Sequence, residues 1–343
     1  MTHRPPFPVA WFGLVALVVA LSGCEKDEQR ETSAAPATSE PTKAPPAAKQ
    51  TTLVRLGYQK IGAPFLLKSR SQDLDKRLEA RSAKAEWKEF QHGPGVLEAI
   101  RAKEVDVGYV GETPPVFAQS GGVDFVYVAA DPSAPKAEAI VVLKDSPIKK
   151  VNDLKGRKIA LNRGSNVHFL LAKALEGVKL TFKDVEVVYL APGDARIAYQ
   201  SGKVDAWVIW DPFLAAAETT GSRVLVDGQG LVDNEFFYVA RREFAKEHPE
   251  LVRDVIDEYQ ALSEWESKNP EEASKILAAS TGVAHEALLL SEKRHSYGIV
   301  PITPEVLQKQ QVIADTFHAL QLIPNAIKTA DAFYAPVAYA KAP

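Results

Sequence analysis

The sequence predicts an α/β fold of two similar lobes facing each other across a cleft. Three observations carry that expectation. Short apolar runs of strand length alternate with helix-length segments, the alternation occurs twice in the same order, and the chain closes on a helical stretch. Alternating strands and helices of these lengths require mainly parallel sheets with helical crossovers.

The chain opens with His3 and Arg4, followed by an almost unbroken apolar run from Val9 to Leu21 and then Ser22-Gly23-Cys24. A charged start, a short apolar run and small residues before a cut make residues 1–23 an export signal. Its thirteen apolar-run residues are too few to cross a bilayer of about 30 Å as a helix. The ending Leu21-Ser22-Gly23-Cys24 resembles a bacterial lipobox, in which the cysteine is lipidated and becomes the mature N-terminus. Residues 24–50 are then expected as lipid anchor and linker. From Glu25 to Gln50 the chain is mostly Pro, Ala, Thr, Ser, Glu and Lys without aromatic or large aliphatic residues, a composition that cannot bury a core. Cys24 is the sole cysteine of 343 residues, so once it carries lipid no disulfide can form and the core must supply the stability.

From Leu53 onward the sequence reads as folded protein long enough for two domains. Its two halves echo each other. Val54-Arg55-Leu56-Gly57 leads through a polar loop to Phe65-Leu66-Leu67-Lys68, and Ile159-Ala160-Leu161-Asn162 leads through a loop to Phe169-Leu170-Leu171-Ala172. Each is a buried strand, a glycine-containing loop and a helix start. Further on, Val105-Asp106-Val107-Gly108-Tyr109-Val110 is matched by Val204-Asp205-Ala206-Trp207-Val208-Ile209. Past these aspartates stand the acids Glu112 and Asp211, each followed by proline and an apolar helical segment. The expected first lobe is 51–136 with 236–343, and the second is 137–235, with crossings near Pro135 and Glu235.

From Phe236 the pattern reads as helices. Pro249 starts one with apolar positions Leu251, Val255, Tyr259 and Leu262. Asn269-Pro270-Glu271 and Thr303-Pro304-Glu305 each offer a cap, a first-turn proline and an acid suited to the helix dipole. The second leads into Val306, Ile313, Phe317 and Leu320 on one face.

Ligands of parallel sheets bind beyond the carboxyl ends of strands, where loops feed helix starts. Asn162-Arg163-Gly164-Ser165-Asn166-Val167-His168 is such a loop, opening a helix to Glu176 with Gly177 as its C-cap. Unpaired N–H groups and the positive dipole end suit an anion there. Gly164 lets the backbone approach a ligand, and Ser165 and Asn166 add side-chain donors, although Ser165 fits equally an N-cap alone. Gly111-Glu112-Thr113-Pro114-Pro115 plays the same part in the other half, with Thr113 as cap and donor and Glu112 accepting backbone N–H groups or holding another ligand group. Trp210, ahead of Asp211, either covers an apolar ligand part or belongs to the core. Gln59 and Lys60 end the first strand and point to the same cleft. Asp194 and Arg196 either pair or place a guanidinium at the cleft.

No catalytic signature emerges. The sequence holds no Gly-x-Ser-x-Gly elbow, phosphate loop or His-Glu-x-x-His. None of its seven histidines stands at metal-ligand spacing from another His or a Cys, so no metal and no cofactor is expected. His168 is the one histidine in the anion loop, where it fits a structural role. The net charge of −3 with both signs interspersed argues against a nucleic-acid partner.

From Leu53 to about Ala332 the chain resembles the aliphatic sulfonate-binding proteins of ABC importers. The resemblance rests on Leu56-Gly57-Tyr58-Gln59-Lys60, Gly111 to Ser120, Gly164 to His168, and Val204 to Phe213, and extends through Ser296-Tyr297-Gly298 and Ile313 to Phe317. It implies a class II periplasmic-binding-protein fold and a non-enzymatic, monomeric receptor. Such a receptor captures alkanesulfonates outside the cytoplasm for sulfur acquisition and delivers them to an ABC permease. Gln59, Gly111, Thr113, Gly164, Ser165, Asn166, Trp210 and Asp211 would then hold the ligand. Related members bind taurine, nitrate or thiamine precursors, and desulfinases share the fold but use a cysteine absent from the folded part of this chain. The lipobox is a departure from freely diffusing relatives. It would tether the protein to the membrane through lipid only, in the periplasm or at the cell surface.

Overall fold

The structure, a computed structural model, describes residues 51–334. The export signal, Cys24 and the linker lie outside the described residues. The chain begins with β1 (Thr52–Tyr58), α1 (Gly62–Ser69), α2 (Gln72–Ala80), β2 (Ala83–Glu89), α3 (Gly93–Arg101), β3 (Val107–Gly111), α4 (Thr113–Ser120) and β4 (Phe125–Ala130). It crosses to a second sheet built from β5 (Glu138–Leu143), β6 (Lys158–Leu161), α5 (Asn166–Gly177), β7 (Glu186–Tyr189), α6 (Pro192–Gln200), β8 (Ala206–Trp210), α7 (Phe213–Thr219) and β9 (Ser222–Asp227). It returns with β10 (Phe236–Arg241) and ends in α8 (Arg242–Glu247), α9 (Pro249–Lys268), α10 (Pro270–Thr281), α11 (His285–Glu292) and α12 (Pro304–Ala319).

The two sheets share one topology. The first has strand order β2-β1-β3-β10-β4 and the second β7-β6-β8-β5-β9. In each, the strand in fourth place runs antiparallel to both neighbours, while the first three are parallel. That antiparallel strand is the one the chain enters after crossing from the other sheet. The duplication read from sequence recurs at the level of single atoms. Asp106 Oδ2 accepts the Arg55 N–H at 3.0 Å, and Asp205 Oδ2 accepts the Lys158 N–H at 2.8 Å. Each aspartate stitches the start of one strand to its parallel neighbour.

Two expectations change here. The sheets are mixed rather than mainly parallel, and the segment from Phe236 opens with a strand before its helices. Phe237, Tyr238, Val239 and Ala240 are fully buried. A short run apolar on both faces has no period that separates strand from helix.

Each sheet has its own core. Val54, Leu56, Phe65 and Leu66 pack with Leu251, Val255 and Tyr259 of α9 around the first sheet. Ile159, Leu161, Leu170, Leu171 and Trp207 surround the second. The helical end packs mainly on the first sheet's helices, α9 against α1 and α2 and α12 against α4, while α11 also meets α7. Thr303 caps α12 as expected, its side chain accepting from Val306 N–H at 3.3 Å. Asn269 does not cap α10 with its side chain, because its amide turns back to Trp265 O at 2.7 Å. Leu320 lies past the end of α12 and is 38 % exposed, off the buried face formed by Ile313 and Phe317. Gly177 is the last residue of α5, without the left-handed backbone of a glycine cap; Val178 occupies the cap position.

Candidate ligand-binding site

The carboxyl ends of β1, β3, β6 and β8 meet where the two sheets face each other. Gln59 follows β1, Gly111 ends β3, Ser165 and Asn166 open α5 beyond β6, and Trp210 ends β8. All five line one small cavity of about 20 Å³ with Gly93, Pro114 and Phe236, roughly the room one water needs. None of these lining residues carries a charge. What they offer is amide, hydroxyl and backbone dipoles beside two aromatic rings.

The two helix starts touch through Asn166. Its Oδ1 accepts the Thr113 N–H at 3.3 Å, and its Nδ2 donates to Asn234 Oδ1 at 2.7 Å. It also approaches Glu235 O at 3.5 Å. Asn166 thus joins the start of α4 to the segment by which the chain recrosses to β10. Gly111 permits this approach, since a Cβ there would stand 2.1 Å from Asn166 Oδ1. Gly164 has φ +69°, and a Cβ there would press on the Phe117 ring at 3.3 Å.

The caps differ from expectation. Ser165 holds the N-cap position of α5 with extended backbone, but its hydroxyl donates to Asn162 O at 2.7 Å and makes no cap bond. Thr113 is the first residue of α4, because Glu112 already has helical angles and takes the cap position. The Thr113 hydroxyl is buried without a hydrogen-bond partner. Glu112 accepts the Glu235 N–H at 3.0 Å, the first of the two roles expected of it.

Thr113, Gly164 and Asp211 stand behind the small cavity rather than on its wall. Asp211 lines a neighbouring cavity, accepts the Ala215 N–H at 2.9 Å and pairs with Arg294 at 3.4 Å. Arg294 also reaches Glu218, tying the segment after α11 to α7. His168 is a packing residue: its ring lies among Phe117, Phe182 and Phe317 and accepts from Gly164 N–H at 3.3 Å. Burial, then Arg163, pushes its pKa down to about 3. Asp194 and Arg196 are both exposed on α6, and among the described residues no ion pair joins them. Gly93, Phe236, Asn234 and Arg294 complete the region without having been singled out from sequence. Gly93 was the most legible of these, since it lies in the glycine- and proline-rich run His92-Gly93-Pro94-Gly95 that opens α3; a Cβ there would stand 2.8 Å from Pro114.

Several carboxyls around the site are buried enough to hold their protons. Burial raises Glu112 to about 8, Asp131 to about 7 and Asp211 to about 7 in spite of Arg294. Glu138, with neither carboxyl oxygen partnered, is raised by burial and by Glu112. Unfolded, each would be ionised from about pH 5 upward. The folded state therefore binds more protons between that pH and the raised values, and stability falls as pH rises. Histidines held neutral in the fold, His168 and His295, oppose this only below about pH 6.5. Melting temperature is accordingly expected to fall from about pH 6.5 to about 8.5. A melting temperature that rises over that interval contradicts the burial of these acids in solution.

The NMT1/THI5-like family model matches residues 86–273. An aliphatic sulfonates-binding protein of Escherichia coli (strain K12) is 38 % identical over 285 residues, covering 82 % of this chain and 89 % of its own. The chain belongs to the aliphatic sulfonate-binding proteins. Among solved structures, the alkanesulfonate-binding protein SsuA from Xanthomonas axonopodis pv. citri bound to MOPS has a TM-score of 0.79 at 33 % identity. That match covers 84 % of this chain and 99 % of the other. The desulfurization enzyme DSZB shares the fold, with TM-score 0.59 at 16 % identity over 83 % of this chain and 97 % of its own. Family membership fixes the architecture as the two-lobed α/β fold of a periplasmic binding protein.

Proposed function

We propose that the protein is an extracytoplasmic receptor that captures aliphatic sulfonates and hands them to an ABC importer. The observation that carries this reading is the uncharged polar lining of Gln59, Ser165 and Asn166, at the end of β1 and the start of α5, beside Trp210 and Phe236. A sulfonate keeps its single negative charge at any physiological pH, so it needs neutral donors and helix dipoles rather than a titrating base. Its apolar tail suits the two aromatic rings. In the described conformation the cavity admits little more than one water. A head group of four heavy atoms therefore enters by parting the contact between Thr113 and Asn166, and the lobes reclose on it. The Thr113 hydroxyl, buried and unpartnered, would turn to the bound head group.

The lobes in this reading are 51–136 with 236–343 and 137–235, hinging where the chain crosses between sheets. We further infer that the mature chain is monomeric and tethered through lipid on Cys24, which leaves it free to reach a permease in the same envelope. The reading contains no catalytic step, in keeping with relatives that are named as binding proteins.

The test is a thermal-shift screen of C2 to C8 alkanesulfonates against sulfate, nitrate and a pyrimidine thiamine precursor. A ligand at a hundredfold excess over its dissociation constant stabilises the folded state by about 2.7 kcal/mol, roughly 5 °C or more at this size. At least one alkanesulfonate is expected to give that shift. A shift with sulfate or nitrate and none with any sulfonate contradicts the proposal.

A further inference from the structure

A second cavity, of about 50 Å³, adjoins the first and shares Trp210 and Phe236 with it. Its wall includes Asp131, Glu266 and Glu292. Glu266 is 1 % exposed and Asp131 7 %, yet Glu266 Oε2 and Asp131 Oδ1 have no hydrogen-bond partner. The neighbouring cations are already engaged or absent. Arg294 is held by Asp211 and Glu218, Lys60 reaches out to Glu89 at 3.2 Å, and burial keeps His295 neutral by pushing it down to about 4. Among the described residues the carboxyl partners of these acids are phenols, Tyr109 for Asp131 and Tyr297 for Glu292 at 2.6 Å.

Three carboxyls without a cation are costly to bury. Burial accordingly raises Glu266, with Glu292 and Asp131 adding to the effect, and burial raises Glu292 to about 7 in spite of its bond from Tyr297. An alkyl tail entering this cavity would leave the orphaned oxygens unsatisfied. An ammonium carries three donors and a charge of the complementary sign, and buried orphan acceptors reward the analogue that satisfies them far more than the one that does not. Among the described residues no group of acids converges closely enough to hold a metal ion, which leaves an organic cation as the fitting occupant.

We propose that this cavity receives the ammonium group of a zwitterionic sulfonate, and that Asp131, Glu266 and Glu292 make the protein prefer aminosulfonates to plain alkanesulfonates. The inference rests on the sulfonate reading above and specifies its substrate class. Calorimetric titration of matched pairs in non-sulfonate buffers tests it: ethanesulfonate against 2-aminoethanesulfonate, and the corresponding propane, butane and pentane pairs. In the best-fitting pair the amino compound is expected to bind about ten- to hundredfold more tightly, the range for hydrogen bonds to charged groups. It should also release protons, measured by repeating the titration in phosphate and in imidazole, because the ammonium ionises carboxyls that were neutral. Glu266→Gln and Glu292→Gln should each reduce the affinity ratio, with circular dichroism melting to confirm that the variants fold. If neither variant folds, the paired affinities and proton release of the wild-type protein decide the matter. Alkanesulfonates that bind as tightly as their amino counterparts at every length overturn this inference and leave the sulfonate reading standing. Absence of binding by both series overturns both.

Discussion

Ser165→Asp is expected to lower sulfonate affinity by roughly a thousandfold while leaving the fold intact. Two like unit charges about 4 Å apart repel by about 4 kcal/mol at the effective dielectric near a protein surface, close to three decades in dissociation constant. Aspartate is a competent N-cap, and the Ser165 backbone is already extended as a cap requires. Ser165→Ala removes only the hydroxyl, whose bond to a charged head group is worth about 1.5–3 kcal/mol. That hydroxyl makes no cap bond to α5 but donates to Asn162 O, so the alanine variant should stay folded while losing about 1 kcal/mol of stability. The ordering serine, alanine, aspartate in affinity is therefore the signature of an anion at this helix start. Calorimetry with the best alkanesulfonate measures it, and an aspartate variant that binds like wild type places the head group elsewhere.

Gly111→Ala should weaken both stability and binding. Its added Cβ would stand 2.1 Å from Asn166 Oδ1, on a side chain anchored at both ends by Thr113 and Asn234. Asn166 is 4 % exposed and has no free direction in which to yield without losing those bonds. Overpacking of this kind costs about 1–3 kcal/mol. The strain is relieved by moving the helix starts apart, so the variant should also scatter as a larger particle and bind at least roughly tenfold more weakly, about 1.4 kcal/mol. A variant with wild-type melting, scattering and affinity would show that the contact between Gly111 and Asn166 is not made in solution.

Much of this architecture is local, and local features were legible. The duplicated strand, loop and helix recur because each lobe solves the same burial problem, and Asp106 and Asp205 mark the same stitch in both. The loops at Gly111 and Gly164 stood out because a glycine set between a strand and a helix start has few other uses. The antiparallel strand β10 did not stand out, since Phe236 to Ala240 is apolar on both faces and periodicity is silent there. Asn166 was read as a ligand donor from its place at a helix start. Its amide is spent instead on groups 53 and 68 residues away, partners that only the closed chain brings near. The acids of the second cavity come from the residue after β4, from α9 and from α11, and no spacing in the sequence links Asp131 to Glu266 and Glu292.

The most direct measurement is a crystal structure of the protein with a bound alkanesulfonate. The account predicts the sulfonate oxygens within hydrogen-bonding distance of Ser165 Oγ and Gln59 Nε2, between the starts of α4 and α5, with the tail directed past Trp210. A head group bound instead against Arg294, or at any site remote from the α5 start, would contradict it.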